Sequence, residues 1–186
     1  MPLTQLDPIA ALIVIDLQKG IVAIPGAHPM NEIIDRSAQL IRAFRRRSLP
    51  VVLVNVNPAA APPSRTDFVR PKMSLPPDWT ELVPELDVKP TDHLVTKKRP
   101  GAFIGTDLDA YLRSRNVTQV FITGVATTIG VESSARSAYD HGYHVVLVTD
   151  AMTDRSPDAH RHAIELTFPR IAELCTTAEA LQALAS

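Results

Sequence analysis

Short β-branched apolar runs alternate along the chain with segments whose apolar residues recur every three or four positions, and that alternation predicts an α/β fold. The runs are ALIVID (11–16), VVLVNVN (51–57), HLVTK (93–97), QVFITG (119–124), HVVLVTD (144–150) and the shorter RIAELC (170–175). Most are continuous rather than alternating, as strands covered on both faces of a parallel sheet are. Between them, Asn31 can cap a helix that carries Ile34, Ala38, Ile41 and Phe44 on one stripe and closes at Leu49-Pro50. Thr106 and Asp109 have capping-box spacing for a helix with Leu108 and Leu112 inward, and Val131, Ala135 and Ala138 mark another that Gly142 ends. Residues 157–168 fit a further helix, and Thr176 with Glu179 caps the last. The order predicts a three-layer, Rossmann-like arrangement: a six-stranded, mostly parallel sheet with helices on both faces.

One stretch breaks the rhythm. Eight prolines fall between Pro58 and Pro90, leaving room for at most a short helix at 79–82. So long an irregular segment in a compact domain marks a binding loop or an oligomer contact. Neither a repeat nor a linker interrupts residues 1–186, which read as a single domain. Hydrophobic residues at 45% and charged residues at 21% argue against disorder. A net charge of -1 supplies no basic excess for a nucleic acid, and Arg45-Arg46-Arg47 reads as a solvated last helical turn. The apolar run 9–15 is too short to cross a bilayer, and the start lacks a signal peptide's cationic region, so a soluble, cytoplasmic protein is expected. Cys175 is the single cysteine, which excludes an internal disulfide and a cysteine metal cluster. His160 and His162, two apart in a helix, point away from each other, and no metal site or cofactor is expected.

In an open parallel sheet the ligand crevice lies outside the carboxyl ends of the strands. Asp16 ends the first run behind five apolar residues, where partial loss of water raises a carboxyl's pKa and suits it to acid or base work. Lys97 or Lys98 ends the third run, and only one of these neighbours can face the crevice. The stretch GVATTIGVESSAR (124–136) joins a strand to a helix through an elbow whose free N–H groups suit an oxyanion or a carboxylate. It is neither a Walker loop nor a GxGxxG turn, and where a nucleophile would stand it has Gly130.

ALIVIDLQ, KKRPGAFIGTDLDAYLR and FITGVATTIGVESSARSAYDHGYHVVLVTDA resemble the three signature blocks of the isochorismatase-like hydrolase superfamily, in the family's order and at its spacings. The resemblance implies a six-stranded Rossmann-like sheet, a small-molecule substrate, and a homodimer or homotetramer. By position it assigns the catalytic Asp to Asp16 and the Lys, six residues before the Phe of GAF, to Lys97. Cysteine members carry their nucleophile at the last position of GVATxxC. Here that position is Gly130, which leaves the nucleophile position vacant and excludes thiol chemistry. A cis peptide common in this motif would fall at Val125-Ala126, in the oxyanion region. Nicotinamidases in the family bind a metal through an Asp and histidines after the second strand, and NVNPAAAPPSRTDF contains no histidine.

True isochorismatases also have Gly at the nucleophile position, and in them the Asp protonates a vinyl ether while water completes hydrolysis. The resemblance therefore implies a metal-independent hydrolase without a cysteine nucleophile, acting on a vinyl ether or ester through Asp16 and Lys97, with Gly130 as pocket floor. Gln18 and Arg65 are weaker candidates for holding an anionic substrate. The alternatives are a catalytically silent small-molecule binding or regulatory homologue, and a hydrolase with another nucleophile. Thr127, Thr128, Ser133 and Ser134 lie near the elbow, although no histidine adjoins them in sequence.

Overall fold

In the computed structural model, which describes residues 3–61, 65–67 and 75–185, six strands form one sheet. They are β1 (Ala10–Ile15), β2 (Val51–Val56), β3 (His93–Lys97), β4 (Gln119–Val125), β5 (His144–Thr153) and β6 (Glu173–Cys175). Their spatial order is β3-β2-β1-β4-β5-β6, every pairing is parallel, and β1 and β4 are buried along their whole length. This order reverses direction between β1 and β4, so a crevice is expected beyond Ile15 and Gly124, which are register partners.

Among the described residues the α-helices in chain order are α1 (Lys19–Val22), α2 (Met30–Arg46), α3 (Leu108–Ser114), α4 (Glu132–Asp140), α5 (Pro157–His162) and α6 (Thr177–Ala185). They cover the sheet on two sides. Leu40, Ile41 and Phe44 of α2 with Ala180 and Leu184 of α6 pack against Leu12, Val14 and Leu53 on one face. Leu108, Leu112, Ala135 and Ala138 pack against Ile13, Ile15 and Val52 on the other.

Several local expectations are corrected. Helix α2 starts at Met30 behind Pro29, so Asn31 lies within the helix and is not its cap. Of the arginines at its end, Arg45 turns in to Asp92, 3.1 Å from Nε to Oδ1, and is not simply solvated. Thr106 does not build a capping box with Asp109: its hydroxyl donates to the Ala102 carbonyl while Asp107 occupies the cap. The helix expected over 157–168 breaks into α5, a wide turn at Ala163–Thr167 and a tight one at Phe168–Arg170, which delays β6 to Glu173. Residues 79–82 form a turn and an isolated antiparallel bridge from Leu82 to Gln18 instead of a helix. The Thr176–Glu179 box does form: the Thr176 amide donates to the carboxylate at 2.7 Å, and the Glu179 amide donates back to Thr176 Oγ1 at 3.3 Å.

The described part of the proline-rich segment is fastened to the start of α1. Lys19 and Gly20 amides donate to the carbonyls of Glu81 and Trp79, and the Val83 amide donates to Leu17. Trp79 lies so close on Gly20 that a Cβ there would stand 2.1 Å from the indole ring. Residues 62–64 and 68–74 of that segment lie outside the described set. Among the described residues, no helix is long and apolar enough to cross a membrane.

Candidate active site

Asp16 follows the last residue of β1 with a φ of 54°, a left-handed conformation that a non-glycine residue adopts only at some cost. The turn carries its carboxyl out of the strand line. Lys97 closes β3, and with β2 between them the two main chains are about 10 Å apart, a gap that a lysine stem can cross. Lys97 Nζ lies 2.8 Å from Asp16 Oδ2, and both side chains are more than nine-tenths buried. Lys98, one residue on, is exposed, so strand alternation selects Lys97.

The two carboxyl oxygens are not equivalent. Oδ2 is held by Lys97, whereas Oδ1 is buried and has no hydrogen-bond partner among the described residues. Burial pushes the Asp16 pKa up to about 6, against the opposing pull of the Lys97 charge and its hydrogen bond. A proton bound near neutrality belongs on Oδ1, because the ammonium already donates to Oδ2.

The elbow reaches this pair from β4. Gly124, with φ 112°, has no room for a side chain: a Cβ would stand 2.0 Å from the Ile15 carbonyl. The next peptide, Val125-Ala126, is cis, and the wide turn Thr127–Val131 then feeds α4. That turn brings buried Gly130 back over β1, where its missing Cβ would point at Ile15 Cγ2, Val125 O and Asp16 Oδ2. The nucleophile position is thus a close contact on Asp16 rather than an open pocket floor.

Of the four hydroxyls near the elbow, those of Thr127, Thr128 and Ser134 have partners, and half-buried Ser133 offers only its main-chain carbonyl, to Ser137. Thr127 Oγ1 is 2.8 Å from Nδ1 of buried His160, so a histidine does approach in space although none adjoins in sequence. Burial and the neighbouring His28 ring hold His160 below the ordinary histidine range, with Asp154 opposing. Thr128 donates to Asp154 Oδ2 from both its amide and its hydroxyl, each at 2.8 Å. The Ser134 hydroxyl donates to the Gly130 carbonyl at 2.7 Å and accepts the Ala102 amide at 3.0 Å, joining elbow to GAF loop. Thr127 and Ser134 have no exposure, so neither stands open as a nucleophile.

The two weaker candidates part company with the pair. Gln18 is fully buried; its amide donates to the carbonyls of Val56 and Trp79, both at 3.1 Å, and accepts the Val56 amide at 2.7 Å. It fastens β2 to the proline-rich segment and holds no free donor for a substrate. Arg65 is exposed and makes no ion pair among the described residues. Cys175 is buried at the end of β6, with its thiol pushed up to about 12 by burial and nearby carboxylates, which suits packing and not attack. His160 and Asp154, which hold the elbow, escaped the sequence reading; the one available signal was an inward-facing histidine in an otherwise polar helix.

Asp16 already faces an ammonium, and the sequence NVNPAAAPPSRTDF after β2 brings no imidazole. Asn55 donates its amide N–H to the Thr80 carbonyl, while its Oδ1 is buried without a hydrogen-bond partner among the described residues. Among the described residues, no group of three metal-ligating side chains occurs.

The parallel six-stranded sheet, with the buried Asp16–Lys97 pair at its carboxyl end, is that of a three-layer, Rossmann-like hydrolase. The chain belongs to the isochorismatase family, whose domain model matches residues 10–179. It is 41% identical over 177 residues, 92% of each chain, to the isochorismatase family protein YwoC of Bacillus subtilis (strain 168). A probable isochorismatase of Pseudomonas chlororaphis is 32% identical over 174 residues, covering 91% of this chain and 84% of the relative. Among solved structures, an isochorismatase family protein from Burkholderia thailandensis superposes with a TM-score of 0.94 at 42% identity, over 98% of both chains.

Proposed function

We propose that this hydrolase opens a small vinyl ether or ester by acid catalysis, without a covalent intermediate and without a metal, and that Asp16 is its general acid. The observation that carries the reading is the inequality of the Asp16 oxygens: Oδ2 is spent on Lys97 at 2.8 Å, while Oδ1 is buried, unpartnered and able to hold a proton near neutrality. With a vinyl ether, the Oδ1 proton passes to the terminal vinyl carbon. Water adds to the oxocarbenium carbon, returns a proton to Oδ1, and the hemiketal collapses to a ketone and an alcohol. Lys97 stabilises the carboxylate that exists between those two proton transfers. Val125 and Ala126, joined by the cis peptide, are the proposed oxyanion region.

The resemblance to a probable isochorismatase supports an isochorismate-like substrate. Arg65, exposed and without an ion pair among the described residues, is the proposed partner for a substrate carboxylate. The reading takes the protein as a cytoplasmic homodimer or homotetramer, supported by large apolar side chains exposed at Leu94, Ile104 and Ile129. The test is turnover of a panel of vinyl ethers and esters, isochorismate included, by wild type and Asp16→Ala. The expected loss in the variant is about a hundredfold or more. Activity that survives the substitution overturns the acid assignment, and ligand binding without turnover across the panel supports the silent homologue instead.

A further inference from the structure

Three glycines of the chain have positive φ: Gly105, Gly124 and Gly142. Gly130 does not; it sits inside the helical turn Thr127–Val131, in a conformation any residue adopts. At Gly105 and Gly142 a Cβ would meet nothing within 4 Å, so those glycines answer to backbone shape. At Gly130 a Cβ would stand 2.9 Å from Ile15 Cγ2, 3.0 Å from the Val125 carbonyl oxygen and 3.3 Å from Asp16 Oδ2. Space, and not conformation, demands glycine there. Ile15 is fully buried and Val125 O is main chain, so neither neighbour gives way easily.

We propose that Gly130 is a positioning residue for Asp16: lacking a Cβ, it lets the elbow main chain seat against Oδ2, keeps that oxygen within reach of Lys97, and leaves Oδ1 as the oxygen without a partner. The inference rests on the reading of Asp16 as the acid. Glycine at the nucleophile position therefore does more than remove a thiol, because it sets the acidity of the group that remains. A side chain at 130 would wedge against the oxygen that Lys97 holds and lengthen the 2.8 Å pair. It would also add apolar surface to a carboxyl already nearly free of water. Both effects disfavour the anion, so both make Asp16 a weaker acid. Lys97, reaching from β3, is the charged group that acts on Asp16 among the described residues, while Glu132 on the elbow helix pairs outward with Arg136.

The experiment is a carboxyl titration by NMR on protein labelled with ¹³C at aspartate Cγ, with the Asp16 signal assigned by its disappearance in Asp16→Asn. Gly130→Ala is expected to titrate Asp16 higher than wild type by about one unit, a tenfold loss of acidity. A titration equal to or below that of wild type overturns the proposal. If Gly130→Ala does not fold, Ile15→Ala/Gly130→Ala removes the 2.9 Å obstacle and is compared with Ile15→Ala alone. The same upward shift is expected there, and its absence overturns the proposal equally. A wild-type Asp16 that titrates in the ordinary carboxylate range would remove the acid reading, whereas the difference between variant and reference decides the role of Gly130 by itself.

Discussion

Asp16 holds a proton more tightly in the folded chain than in the unfolded one, so its ionisation works against the fold. Between its ordinary value near 4 and its folded value of about 6, the native state binds more protons than the unfolded state. Stability attributable to this group therefore falls as pH rises through that window, by about 3 kcal/mol in all. Urea denaturation at several pH values should show Asp16→Asn gaining on wild type from pH 4 to 6; a constant difference would contradict the raised value. Lys97 is the group that draws the Asp16 pKa down, so Lys97→Met should move the titration above 6, and an unchanged or lower midpoint would count against the pairing. The sequence exposed Asp16 and Lys97 because each closes a run of apolar residues whose end the sheet must bring to the crevice. Gln18 and Arg65 stand in irregular backbone, where no period dictates direction, and the structure turns Gln18 inward to main-chain partners.

At the scale of elements, the elbow is held by its neighbours and not by its own turn. Asp154 accepts both the amide and the hydroxyl of Thr128 and also the Arg155 amide at 2.8 Å. Asp154→Ala strands these donors and should cost about 2–4 kcal/mol in chemical denaturation. A loss under about 0.5 kcal/mol would show that the elbow holds without it. The proline-rich segment offers a second test, because Trp79 is the only tryptophan and lies on Gly20. Gly20→Ala should displace the ring, shift its emission to the red and cost about 1–3 kcal/mol through overpacking. Unchanged emission would place the indole elsewhere. Helix and strand ends were harder to foresee than their cores: the apolar period continues past His162, yet a wider turn follows, and Pro29 starts α2 without any capping side chain.

For the whole molecule, the alternation of apolar runs and amphipathic segments sufficed to foresee six parallel strands between two helical layers, since parallel strands need crossovers and buried faces leave continuous apolar runs. What no local pattern carries is which strands lie side by side, and hence that Asp16 and Lys97 meet across the end of β2. Their joint contribution is measurable. Asp16→Leu and Lys97→Met should each cost about 3 kcal/mol by orphaning the partner, and the double variant should cost less than either; additive losses would mean that the pair is not coupled. The strand order has one more consequence. The chain up to Lys97 builds β3-β2-β1, which holds both charged groups, and the chain after it builds β4-β5-β6, which holds the elbow. Within the sheet the two halves meet at one seam, between β1 and β4, and α2 of the first half packs across it onto β5 and α6 of the second. As the chain leaves the ribosome, Asp16 and Lys97 are therefore finished before the part that shuts water away from them exists. The acidity proposed for Asp16 therefore depends on the second half of the protein closing over the first.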